Sequence, residues 1–95
     1  MELKVDDGLN ADPQTADIVQ AVDAKPQGAN WHIRLQSDGG DHIEAFAGED
    51  GLYRLAFVDR GRRFDAAGPV DAETLKTVLV YYLNGDSDWR RQCQW

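Results

Sequence analysis

The chain has 95 residues, 42% of them hydrophobic and nine of them aromatic, with a formal net charge of −7 at pH 7. That supports one folded domain over residues 1–95 with a thin core, and argues against a disordered chain. Acidity of this strength disfavours nucleic acid and anionic membrane as partners and favours basic protein surfaces.

The charge is uneven. Residues 1–50 carry three basic and eleven acidic groups, whereas residues 51–95 carry seven basic and six acidic. Cys93 is the only cysteine, so no internal disulfide forms and a reducing compartment is expected. No apolar run approaches the ~20 residues of a membrane span. The opening "MELKVDDGLN" lacks the basic-then-apolar order of a secretory signal, and a cytoplasmic location is the expectation.

In chain order, Leu3 and Val5 alternate with Glu2 and Lys4, but "DDGLN" soon breaks the pattern. Residues 1–10 therefore read either as a short edge strand or as disordered. A first helix follows, with Asp12 as N-cap, Pro13 at the first helical position, and Pro26 and Gly28 as stops. Ile18, Val19 and Val22 form its apolar stripe.

"WHIRLQ", "HIEAFA" and "LYRLAFV" read as strands, each separated by a glycine-bearing turn. Cross-strand partners must share a face, so loop length is testable by parity. Taking Asp38-Gly39-Gly40 as a three-residue loop with Gly40 left-handed sets Leu35 against Ile43, Ile33 against Ala45 and Trp31 against Ala47. On the other face Arg34 then meets Glu44 as an opposite-charge pair, and Phe46 lies beneath Arg54. The loop Glu49-Asp50-Gly51 pairs Ala45 with Leu55 and Ile43 with Phe57, and the two-residue turn Arg60-Gly61 sets Phe57 against Phe64.

A second helix starts after Asp71, its cap, and ends at Asn84-Gly85. Leu75, Val78, Leu79 and Tyr82 form its buried stripe, widened by Tyr81 and Leu83. The expected fold is α+β: a four-stranded antiparallel meander with two helices on one face, in the order α-β-β-β-β-α. Residues 86–95 then run back over the domain, and Trp89 and Trp95 make this segment either a clamp on the core or an anchor for a partner.

The element Tyr82-Leu83-x-Gly85-Asp86-x-x-Trp89, closed by Trp95, resembles the C-terminus of a group of short acidic bacterial proteins. Several of these look like immunity proteins of bacterial toxin systems, and many have no assigned role. The order of helix, charged meander with Asp-Gly turns and second helix is similar too, although Gln92-Cys93-Gln94 departs from the acidic or aromatic residues of that pattern. The resemblance implies an inhibitor of a toxin, and it transfers no catalytic residue.

Chemistry-bearing residues are sparse. His32 and His42 fall too far apart along their hairpin for two ligands of one tetrahedral zinc, and no second thiolate completes a set. Cys93 reads as a small hydrophobe, and most carboxylates occupy caps and turns. "DGGD" precedes no helix and "GEDG" is acidic, so neither cradles phosphate. The basic tip Arg60, Arg62 and Arg63 reads as a solvated turn. No catalytic, cofactor-binding or metal-ligating residue is assigned.

The outer face of the meander mixes charge with Phe46, Ala56 and Val58, and reads either as a face that meets another chain or as one that faces solvent with its charges paired across strands. The functional expectation is a non-catalytic protein-binding module, in its sharper form an immunity-like inhibitor of a basic toxin. The candidate partner-binding residues are Asp17 and Asp23 in the acidic half, and His32, Arg34, Glu44, Phe46, Arg54 and Val58 on the sheet face. A homodimer through that face is the other occupant. The alternative class is a small enzyme or ligand-binding domain with a pocket between helices and sheet, lined by Tyr81, Tyr82 or Cys93.

Overall fold

The computed structural model describes residues 1–6, 8–23 and 31–95. Alternating side chains place apolar groups on one side of β3 (His32–Gln36), β4 (His42–Ala47), β5 (Tyr53–Asp59) and β6 (Arg62–Asp65), which pair antiparallel in sequence. The registers are those that parity predicts. Leu35 opposes Ile43, Ile33 opposes Ala45, Ala45 opposes Leu55, Ile43 opposes Phe57, and Phe57 opposes Phe64. Gly40 takes the left-handed conformation that its three-residue loop demands (φ 94°), and Arg60 and Gly61 both have positive φ in their two-residue turn.

The sheet has six strands, not four, in the order β2-β1-β3-β4-β5-β6. β1 (Glu2–Val5) is an interior strand rather than an edge strand or a disordered segment, and β2 (Gly8–Asn10) is the edge beside it. The element order is thus β-β-α-β-β-β-β-α. Leu3 and Val5 face Leu35 and Ile33 across β3 and extend the same apolar side, with Leu3 buried.

α1 (Thr15–Asp23) begins two residues beyond Pro13, the expected first position. The side chain that accepts at this end is Asp17, whose Oδ2 takes the Gln14 N–H at 2.8 Å, rather than the expected cap Asp12. The expected stop at Pro26 and Gly28 lies outside the described residues. α2 (Ala72–Leu83) keeps its expected cap: Asp71 accepts from the Thr74 N–H at 2.8 Å. Replacing Asp71 with alanine strands that N–H, and should lower Tm by about 4–8 °C in a thermal scan. A shift within error would mean that water replaces the cap at no cost.

Ile18 and Val22 from α1 and Leu75, Val78 and Leu79 from α2 join Leu3, Ile33, Leu35, Ile43 and Leu55 in one buried cluster, so both helices cover the same side of the sheet. Ile18, Ile33, Leu35, Ile43, Leu75 and Leu79 are completely inaccessible. Among the described residues, a depression of about 320 Å³ opens between α1 and the N-terminal hairpin beside Leu3, Val5, Asp17 and Ala21, and Tyr81, Tyr82 and Cys93 do not line it.

Beyond α2, a 3₁₀ turn (Ser87–Arg91) carries Trp89 back to the core. Trp89 is 9% exposed and meets Phe57, Tyr82 and Trp95 edge-on, with ring centroids 4.8, 5.2 and 5.7 Å away. Trp95 packs on Phe57 at 4.7 Å, and its indole N–H donates to the Arg90 carbonyl at 3.1 Å. The Arg90 guanidinium lies over both Phe57 and Trp89 and binds Asp59 at 3.0 Å. Cys93 is half-buried, and burial pushes its thiol pKa up, away from a reactive thiolate.

Candidate functional site

No described helix lies on the other side of the sheet. The strands turn two groups of side chains toward it: His32, Arg34, Glu44, Phe46, Arg54 and Val58, as expected, and Lys4 and Leu9 from the N-terminal hairpin. Asp17 and Asp23 are not with them. They sit on α1, across the sheet, and both are engaged internally: Asp17 with Gln14 and Asn10, Asp23 in a 2.8 Å ion pair with Lys76.

Glu44 organises the face. It is only 7% exposed, and its carboxylate takes Arg63 Nη1 at 2.7 Å and His32 Nε2 at 3.1 Å. Burial opposes the charge, but the hydrogen bonds from His32 and Arg63 outweigh it and hold the Glu44 pKa below its ordinary value. The expected direct pair with Arg34 does not form. Arg34 opposes Glu44 in register, yet Arg63 reaches it across β5, over the small and buried Ala56. A second carboxylate, Asp65, steadies Arg63 from its own strand at 3.2 Å.

Arg34 turns instead to His42, with Nη2 3.1 Å from Nδ1. A guanidinium only donates, so Nδ1 of His42 is the acceptor and carries no proton. Burial, reinforced by the Arg34 charge, lowers the His42 pKa and favours that neutral ring. His32 stacks on Phe46 with centroids 4.7 Å apart, and Phe46 remains 37% exposed. Phe46 is thus held from the His32 side; Arg54 is its register neighbour.

The face differs from the rest of the chain in charge. It carries four cations (Lys4, Arg34, Arg54, Arg63) and three carboxylates (Glu2, Glu44, Asp65), against six basic and fourteen acidic residues elsewhere in the sequence. The basic tip is divided: Arg63 is bound into the face by two carboxylates, while Arg60 and Arg62 are exposed at the turn.

Lys4 and Leu9 escape a reading of the sequence because the hairpin that carries them does; the alternation of Lys4 with Leu3 and Val5 is the signal that places Lys4 here. Among the described residues, no group of three or more His, Cys, Asp or Glu is arranged to hold a metal ion, and no helix is long and apolar enough to cross a membrane. Compared with known proteins, the chain matches no family model, no curated protein and no solved structure.

Proposed function

We propose that this chain is a non-catalytic protein-binding module that docks through its uncovered sheet face, and that its partner is a basic protein, in the sharper form a toxin that it neutralises as an immunity-like inhibitor. The observation that carries this reading is the cross-strand network around Glu44, which holds polar side chains in place beside an exposed Phe46. Preorganised polar groups around an aromatic anchor lower the ordering cost of association. The acidic remainder of the molecule speeds the approach of a basic partner, and added salt should slow it.

The test is titration of wild-type and Phe46→Ala protein with a toxin encoded beside its gene, or with a basic partner captured from the cell that makes it. Loss of a central aromatic should weaken binding by roughly 30-fold while the melting temperature stays nearly unchanged. Equal binding by the two proteins would move the interface off the sheet, and failure of every such protein to bind would remove the module reading itself.

A further inference from the structure

Of the four cations on the open face, only Arg63 has a carboxylate partner among the described residues. Two of the others, Lys4 and Arg34, stand directly opposite each other on β1 and β3. Like charges in that position oppose strand pairing, so the fold retains a local cost here. Arg34 is also incompletely satisfied. Its Nη2 goes to a neutral acceptor, His42, and its Nε is buried with no hydrogen-bond partner. Glu44, the carboxylate across from it, is already held by His32 and Arg63.

The two cations open onto a depression of about 460 Å³, whose other walls are Glu2, Leu9 and Gln36. Glu2 is its one carboxylate, and no ion pair among the described residues joins Glu2 to either cation. Leu9 is 66% exposed and offers an apolar wall beside them.

We propose that this depression receives a single carboxylate, an Asp or Glu side chain of the docked partner, between Lys4 and Arg34. The assignment rests on the sheet-face docking reading and adds the chemistry of one contact to it. A planar monoanion matches the guanidinium fork and relieves the repulsion between the cations. Glu2 on the rim and the net charge of −7 select against a phosphate dianion. The methylene stem of the incoming residue lies along Leu9. A basic partner with one acidic side chain at this point is therefore favoured over a uniformly basic one.

The free carboxylate tests this without the partner. N-acetylglutamate α-amide is titrated into labelled protein while the Arg34 Nε–H resonance is followed, with sodium chloride and inorganic phosphate at equal ionic strength as comparison arms. A saturable shift is expected, with a dissociation constant on the order of 10 mM. It should be roughly fivefold weaker in Lys4→Met. Lys4→Glu supplies the carboxylate from within the sheet, and should raise Tm by about 2–6 °C while abolishing the shift. A response no larger than that to chloride, tighter binding of phosphate, or an unchanged Lys4→Met titration would overturn the assignment. Those results leave the Phe46 test of docking intact, so the two readings fail separately.

Discussion

Replacing Trp89 with alanine should destabilise the fold by about 3–5 kcal/mol, the cost of emptying a buried aromatic site that cannot collapse. The indole touches Phe57 on the sheet, Tyr82 on α2 and Trp95 beyond the 3₁₀ turn, and the Arg90 guanidinium lies over it. Its removal takes from Trp95 and Arg90 one of the two rings that support both, leaving Phe57. Marginal stability of about 5–15 kcal/mol is usual for a domain, so a large share of the folded population is at stake. Urea denaturation is the measurement, with the midpoint falling and the slope little changed. Trp89→Phe should recover more than half of the loss. A midpoint shift equivalent to less than about 1 kcal/mol would show that the segment beyond α2 adds nothing to the core.

Glu44→Gln should cost about 1–3 kcal/mol at neutral pH, because the amide keeps one acceptor oxygen for two donors and removes the charge partner of Arg63. The pH dependence identifies the cause. In the folded protein the Glu44 pKa lies below the ordinary 4.5, so its contribution is complete above 4.5 and is lost as pH falls through the folded value. His42 acts earlier. Its folded pKa is depressed from 6.5, so the unfolded chain takes up the proton first and stability begins to fall as pH drops below 6.5. Melting temperatures recorded from pH 8 to about pH 3 should show both losses in the wild type. In Glu44→Gln the step below 4.5 is smaller, and the two proteins converge in acid, where Glu44 is protonated. Parallel curves would mean that the carboxylate is not ionised in its network at neutral pH.

Much of the architecture was legible because side-chain parity leaves few choices. Leu35, Ile43, Phe57 and Phe64 share one side only if the three turns have the lengths read from their glycines, and the registers agree. The N-terminal hairpin was not legible for a related reason. Leu3 and Val5 are opposed on β2 by Asn10 and Gly8, which bury no apolar side chain, and the only apolar residue of β2, Leu9, faces outward. Local periodicity therefore marks β1 but carries no sign of β2, and β1 becomes an interior strand by pairing with both β2 and β3.

The site was legible as a surface and not as a network. Register correctly placed Arg34 opposite Glu44, but the arginine that binds the carboxylate comes from two strands away. Which of several neighbouring cations wins depends on reach and on the small Ala56 between them, and a pairwise register contains neither. The partners of the α1 acids could not be read from charge: Asp17 serves the start of its own helix, and the exposed Asp23 pairs with the lysine of the other.

The two rims of the sheet bear on self-association. β2 is three residues long, β6 is four with Arg62, Arg63 and Asp65 among them, and the next outward amide, that of Ala67, is taken by the Gln94 carbonyl at 2.7 Å. Short, charged or already occupied borders resist the addition of a further strand, which is the usual start of fibril growth. Molecules of this chain that meet at high concentration thus have little opportunity to join edge to edge.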